Sequence, residues 1–444
     1  MVLRKLEAED SPISEPLVDT QPPKTKKLAV GTGASIVVER CQVCDSSELE
    51  SVIFIGYLPP VNTMPEIGTR PSEQPAYPAQ VLHCRVCQLV QLGLIVDPGI
   101  LFPPSYPYTS GTTKILRDNF SQLYEEVQNL FPLAPDDLVV DIGSNDGTLL
   151  SNFFNAGHRV FGIEPTRAGD LANARGIPTV MSFFGRDIVR HVVEKQGQAK
   201  IITATNVFAH IEDIHEIVDS VLDLLRDDGL FVTESHYLLS LVETLQYDTI
   251  YHEHLRYYSL TSLRNLLAMH DLEVVHARRI PTHGGSVRVY AARKGKYPVA
   301  DSVSSMLATE RQELSDSKLQ LFREGVVRSK LELFALLKDV KASGSKVYAI
   351  GAPSRASTLV NYVGLDEGII DCVLEIKGSY KIGKYMPGTL IPVLEEGRLY
   401  SDQPEYALLL SWHIADELIS NLARRGFRGK FIIPLPKPRV VSAP

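Results

Sequence analysis

Residues 138–150, Leu-Val-Val-Asp-Ile-Gly-Ser-Asn-Asp-Gly-Thr-Leu-Leu, constrain the fold more than any other stretch of this chain. Leu138, Val139 and Val140 form a short apolar run of the kind buried in a parallel strand, and Asp141 closes it. Gly143 and Gly147 allow a tight turn. Leu149, Leu150, Phe153 and Phe154 then recur at helical spacing. A strand, a glycine-rich turn and a helix in that order let a cofactor approach the backbone at the strand's carboxyl end. Val160–Glu164 predicts the next strand, and Glu164 lies about 20 residues beyond Asp141, where a carboxylate grips a ribose. The plain alternative is a strand–turn–helix with a solvated aspartate.

The spacing Asp-x-Gly-x-x-x-Gly resembles the first motif of class I S-adenosylmethionine (SAM) methyltransferases rather than a dinucleotide fingerprint. That resemblance implies SAM contacts from Asp141, Gly143, Ser144, Asn145, Gly147 and Glu164. The rest of the central region alternates strands and helices, which predicts a doubly wound parallel sheet. Strands are expected at Thr179–Val180, Lys200–Thr203 and Leu230–Thr233, and a helix over Asn119–Phe131. Ser182 and Phe183 follow the third strand; in this fold that loop covers the adenine, although Phe183 suits a core equally well. Ligands of such sheets sit at the carboxyl ends of strands, which brings Asn206 and His210 near the site.

At 444 residues the chain is too long for one core, and two or three domains are expected. A net charge of −8 gives a nucleic-acid partner no electrostatic support. No apolar run approaches the roughly 20 residues of a membrane span. The first residues lack the apolar core of a signal peptide. A cytoplasmic protein is the expectation. Residues 1–37, rich in Pro, Ser, Asp and Lys, read as a disordered tail.

Four of the five cysteines fall into two pairs, Cys41-x-x-Cys44 and Cys84-x-x-Cys87. Each pair forms a knuckle that presents two sulfurs to one point, which predicts a tetrahedral Zn²⁺. Four thiolates leave no open position, so that zinc is structural; a redox dithiol or unrelated buried thiols are the alternatives. The proline-rich stretch 102–111 holds Tyr106 and Tyr108, as a linker with packed aromatics or as a lid whose hydroxyls reach a substrate.

Tyr247–Tyr258 is the densest polar-aromatic cluster, with Tyr251, His252, Glu253 and His254 adjacent. The His-Glu-x-x-His zinc motif is absent. In an extended segment His252 and His254 would share a face, and Tyr251 and Glu253 the other, whereas at a loop or helix start that rule fails; a hydrogen-bonded surface cluster is the alternative to a functional one. Residues 301–340 read as connecting helices. From Ser345 a second strand–turn–helix begins, predicting a third, Rossmann-like domain over 341–444. Its turn carries Ser354, Arg355 and Ser357, suited to an anion such as a diphosphate or to a structural turn, and the loop with Lys381 and Tyr385 lies further on. The expected divisions are 1–37, 38–112, 113–300, 301–340 and 341–444.

This order resembles the sugar C-methyltransferases of deoxysugar biosynthesis, which methylate nucleotide-linked 4-keto-6-deoxysugars, typically at C-3. The matching stretches are Asn206–Ile211, Asp248–His254 and His283-Gly284-Gly285-Ser286. The resemblance implies His254 as the base, with Glu253, Tyr251 and His210 beside it and a lid tyrosine at Tyr106 or Tyr108. It also implies a terminal domain that holds the nucleotide sugar. There the chain departs from the family, with Arg355-Ala356-Ser357 in place of Lys-Gly-Asn, and a changed stretch at Tyr380–Gly383. Methylation of oxygen or nitrogen in a small molecule, or an inert zinc-containing binding protein, stand as the other readings.

Overall fold

The computed structural model describes residues 27–30, 33–102, 111 and 114–442; Tyr106 and Tyr108 lie outside them. Its strands are, in the N-terminal part, β1 (Lys27–Val30), β2 (Gly33–Val37), β3 (Leu49–Leu58), β4 (Tyr77–Cys84), β5 (Val90–Leu92) and β6 (Leu94–Ile95). The central part holds β7 (Leu138–Ile142), β8 (Arg159–Ile163), β9 (Thr179–Val180), β10 (Ala199–Thr205), β11 (Leu225–His236), β12 (Arg256–Tyr257), β13 (Leu272–Ile280) and β14 (Ser286–Arg293). The terminal part holds β15 (Val347–Ile350), β16 (Cys372–Glu375), β17 (Val393–Glu395), β18 (Tyr406–Leu409), β19 (Lys430–Ile433) and β20 (Arg439–Val441).

The central sheet runs β13-β14-β11-β10-β7-β8-β9, with β14 antiparallel to both of its neighbours. Its strands alternate faces with the strand period of two. Val139, Ile201 and Val232 face the helices Lys114–Leu130 and Thr148–Asn155, while Val140, Ile202 and Phe231 face helices Arg186–Gln196, Ile214–Leu224 and Leu260–Ala268. The order of strands reverses between β7 and β10, so the crevice at their carboxyl ends is where a ligand fits. The terminal sheet, β17-β16-β15-β18-β19-β20, repeats this plan with only β20 antiparallel.

The tail expectation is corrected at its end. Residues 27–30 and 33–37 pair as β1 and β2, and β2 adds β6 as a third strand. The first long helix starts at Lys114 rather than Asn119. The predicted connector is two helices, Asp301–Glu313 and the 27-residue Asp316–Ala342. Leu319, Phe322, Val326, Leu333 and Leu337 of the longer one share a single core with Val52, Ile53 and Val81 of the N-terminal sheet and Val347, Leu359 and Leu408 of the terminal unit. Among the described residues, no helix is long and apolar enough to cross a membrane.

Under the central sheet lies a buried polar network. Arg288 donates to Glu234 (2.6 Å), Glu126 (2.7 Å) and Asn119 Oδ1 (2.9 Å), and Asn119 Nδ2 donates to the other Glu234 oxygen (2.9 Å). Burial alone would raise the Glu126 carboxyl. Hydrogen bonds from His276, Tyr290, Arg278 and Arg288 outweigh it and hold the group well below the usual carboxylate range. Arg288→Met is expected to destabilise the fold by about 3–5 kcal/mol, because Glu234 is left buried and uncompensated. Urea unfolding of the two proteins checks this.

Candidate active site

The crevice at the carboxyl end of β7 is built by the turn that follows that strand. The N–H groups of Gly143 and Ser144 donate to the Ile163 carbonyl (2.8 and 3.2 Å), which closes the turn against β8. Gly143 has φ +69°, and a Cβ there would come within 2.9 Å of Val207. Gly147 has φ +75°, and its Cβ would meet Ile177 at 2.9 Å and Ala172 at 3.0 Å. Both positions therefore require glycine. Asp146 accepts from the Thr148 hydroxyl (2.7 Å) and N–H (3.3 Å) at the start of the following helix.

Asp141 is buried at the strand end and accepts from the Thr203 hydroxyl at 2.6 Å. Burial pushes its carboxyl up to about 8; the Thr203 hydrogen bond opposes this, and Glu164 and Glu234 add to it. Glu164 accepts from the Asn145 N–H (2.9 Å), the Thr166 N–H (2.9 Å) and the Thr166 hydroxyl (2.5 Å), so loops on either side fix its carboxylate. Among the described residues, Ser144 Oγ and Asn206 Oδ1 are buried without a hydrogen-bond partner, as polar atoms that await a ligand would be. Ser182 donates to the Phe183 carbonyl (3.1 Å), and the Phe183 ring is 68 % exposed beyond β9. Of the two readings of Phe183, the core one is excluded. These donors and acceptors suit a nucleoside-bearing cofactor. Glu164→Ala is expected to weaken SAM binding by about 1–3 kcal/mol in calorimetry.

Next to this crevice four histidines form a chain of rings. His210 lies 5.1 Å from His254, His254 lies 4.8 Å from His236, and His236 lies 5.4 Å from His283, centroid to centroid. Tyr251 covers His254 at 4.2 Å, and Phe102 stacks on His210 at 5.7 Å. His254 Nδ1 sits 2.9 Å from the Thr249 carbonyl. A carbonyl only accepts, so Nδ1 carries the proton and Nε2 keeps its lone pair. Burial depresses His254 well below the ordinary histidine range, with His210 adding to it and the Thr249 hydrogen bond opposing it. His210 and His283 are pushed down to about 4, chiefly by burial.

His236 and His283 were not singled out as site residues from sequence. The first ends β11 and the second lies in the loop before β14, and the pairing of His236 with Ser286 brings them together. His283 has φ +56°, uncommon for a residue other than glycine, and its Nε2 is buried without a partner among the described residues. Because these imidazoles resist protonation when folded, the unfolded chain binds more protons between about pH 6.5 and 4. Stability is therefore expected to fall as pH drops through that window, read as a lower urea midpoint.

The segment is not extended, so the condition under which His252 and His254 would share a face is not met. Residues 251–253 form a turn, closed by the His254 N–H on the Tyr251 carbonyl (2.9 Å), so strand alternation does not apply. His252 instead turns away, its Nε2 donating to the Pro78 carbonyl of β4 at 3.2 Å. Glu253 is buried and accepts from Asn62 Nδ2 at 2.8 Å.

The anion expectation for Arg355 is also corrected. Its guanidinium is forked onto both oxygens of buried Asp248 (2.7 and 2.8 Å), and its other contacts are Gln246 Oε1 (3.1 Å) and the His283 carbonyl (3.3 Å). Ser354 begins the helix Ser354–Val363. Ser357 is buried within it, beside Asn361. Lys381 donates to the Ala352 carbonyl, and the Tyr385 hydroxyl accepts from the Gly68 N–H (3.2 Å).

The four cysteine sulfurs lie within 4.8 Å of one another, with Cys41 and Cys87 at 3.4 Å and Cys44 and Cys84 at 3.5 Å. Sulfurs bound about 2.3 Å from one tetrahedral zinc stand about 3.8 Å apart, so the cluster fits the ion. Both knuckles fold alike. The N–H groups of Asp45 and Gln88 return to the Cys41 and Cys84 carbonyls (3.0 Å each), and each of the two residues takes a left-handed φ. His83 is engaged with Gln88 (3.1 Å) rather than with the sulfurs.

Three family descriptions match the chain in succession: "Putative zinc binding domain" over residues 41–102, "Methyltransferase domain" over 115–277, and "C-methyltransferase C-terminal domain" over 281–436. A relative named C-methyltransferase NovU, from Streptomyces niveus, is 33 % identical over 413 residues, covering 91 % of this chain and 97 % of its own. Among solved structures, the plantazolicin methyltransferase BpumL with a desmethyl analogue and SAH is 13 % identical over 43 % of this chain and 90 % of its own (TM-score 0.34). Magnesium protoporphyrin IX methyltransferase from Synechocystis PCC 6803 with bound SAM is 15 % identical over 40 % of this chain and 78 % of its own (TM-score 0.30).

Proposed function

This chain belongs to the C-methyltransferase family, and from that premise we propose that it methylates the carbon beside the ketone, C-3, of a nucleotide-linked 4-keto-deoxysugar. It is a SAM-dependent methyltransferase with a zinc-binding N-terminal module. The observation that carries the carbon-acid reading is the His254 ring, neutral, buried, and held by the Thr249 carbonyl with Nε2 unprotonated.

A ketone acidifies the hydrogen on the adjacent carbon. His254 Nε2 takes that proton, and the electron pair of the C–H bond moves toward the ketone oxygen as an enolate. Donors near the site, the Tyr251 phenol and the His210 imidazole, stabilise the developing oxygen charge. Glu253 orients the loop through Asn62. Asp141, Ser144, Glu164 and Asn206 would hold SAM, whose sulfonium would give up its methyl group to the carbanion carbon and leave as S-adenosylhomocysteine. The Tyr106 and Tyr108 lid belongs to this reading on the family resemblance alone.

Ser354 at a helix N-terminus, together with Lys381 and Tyr385, supports a substrate held against the terminal unit. Arg355 is not free to serve there. The test is incubation with SAM and a panel of nucleotide-linked 4-ketosugars, with mass detection and carbon NMR of the labelled methyl. A new carbon–methyl bond beside the ketone supports the reading. A methyl on oxygen or nitrogen overturns it.

A further inference from the structure

The loop that orients His254 is gripped from the terminal unit, and the grip brackets one residue. Thr249 supplies the carbonyl that accepts from His254 Nδ1. On one side of it, Asp248 receives two hydrogen bonds from the Arg355 fork and a third from Trp412 Nε1 at 2.7 Å. On the other side, the Ile250 carbonyl accepts from the Thr358 hydroxyl at 3.1 Å. Arg355 and Thr358 stand three residues apart on the helix Ser354–Val363, so they present to the loop from one face. Arg355 also reaches Gln246, whose amide donates to the Gly284 carbonyl at 2.7 Å, and the Arg355 guanidinium itself donates to the His283 carbonyl.

We propose that Arg355 and Thr358 are positioning residues that act through Asp248, Ile250 and the Thr249 carbonyl to fix which nitrogen of His254 bears the proton. The turn's own bonds hold Thr249, by its N–H and hydroxyl on the Gln246 carbonyl and by the Ile250 N–H on the Tyr247 carbonyl, and the terminal helix anchors that turn at Asp248 and Ile250, on either side of the Thr249 carbonyl. A lysine at 355 would keep the charge and lose the two-pronged contact. A valine at 358 would keep the shape and release the Ile250 carbonyl.

The catalytic consequence rests on the carbon-methylation reading; the positional one does not. The experiment therefore has two arms, on the full-length zinc-loaded protein. In the first, histidine is labelled with ¹⁵N, and ring nitrogen–proton correlations report each tautomer, with His254 assigned by the signal missing from His254→Asn. The wild type is expected to show His254 in the Nδ1–H form alone. Arg355→Met and Thr358→Val are expected to mix in the Nε2–H form, and Arg355→Lys to fall between them and the wild type. Should Arg355→Met not fold, Thr358→Val, which loses one hydrogen bond, carries the test. An unchanged His254 tautomer in the folded variants overturns the proposal.

The second arm measures methyl transfer. A drop in kcat of about tenfold or more with unchanged SAM affinity, partly recovered in Arg355→Lys, is the expected result. Parallel losses in kcat and SAM affinity would mark a general structural role and overturn it. If the wild type itself methylates no carbon acid while the tautomer shifts as expected, the function reading fails and the positioning role stands.

Discussion

His254→Asn is expected to lower methyl transfer by about 10²–10⁴-fold, the usual consequence of losing a general base. SAM binding should survive, because the residues proposed to hold SAM lie at the carboxyl ends of β7, β8 and β10 and not in the 246–254 loop. Asparagine can still donate to the Thr249 carbonyl but offers no basic nitrogen. The pH profile carries a second expectation. Burial holds the His254 imidazole neutral below the ordinary histidine range. Activity at acid pH should therefore persist through pH 6.5 and fall only lower, as the depressed group finally takes a proton. Kinetics of the two proteins between pH 5 and 8 measure both effects. A fully active His254→Asn protein would refute the residue and leave the reaction class in place.

Stripping the zinc is expected to unfold more than the N-terminal module. Structural zinc contributes apparent binding free energies of about 10–16 kcal/mol in zinc-finger peptides, and that energy is folding energy. Here the ligands are not a separate cluster. Cys41, Cys84 and Cys87 pack in the same core as Leu263, Leu266 and Ile217 of the central helices. The Val43 carbonyl between the first two ligands accepts from His215, and the Cys87 carbonyl accepts from Asn265 (2.8 and 3.1 Å). A chelator, or Cys84→Ser, should therefore lower the thermal midpoint of the whole chain in one transition. Metal analysis should return one zinc per chain. A chain that binds no zinc, or melts identically with a chelator, would exclude the assignment.

Features that depend on neighbours in the chain were legible in the sequence. The Asp141–Gly147 turn, the strand at Thr179–Val180 and the cysteine pairs are local patterns whose spacing carries their geometry. Features that depend on pairing across long separations were not. β2 finds β6 some sixty residues away, and no periodicity in residues 27–37 announces it. Arg355 meets Asp248 at a separation of 107, so a guanidinium in a turn read as an anion site when its anion was a side chain of the same protein. His236 looks ordinary in isolation, and His283 stands out only as part of the stretch His283–Ser286, with nothing local to set it beside His236. An expectation that β14 returns antiparallel beside β11 would have placed them together, since that register sets the end of one strand beside the start of the other. The alternation rule does not reach His252 and His254 because the segment is a turn, and a cluster of bulky polar residues without apolar alternation leaves strand and turn equally open.

The shared core beneath the long helix Asp316–Ala342 bears on how this molecule can be engineered. The N-terminal sheet and the terminal sheet meet on that helix, and the 246–254 loop is held from both, by Asn62 and Pro78 on one side and Arg355 and Thr358 on the other. A chimera that borrows only the terminal unit from a relative would keep its strands and lose the matched contacts that set the loop. Recombination to change substrate should instead carry the N-terminal module, the loop and the helix Ser354–Val363 together as one inherited block.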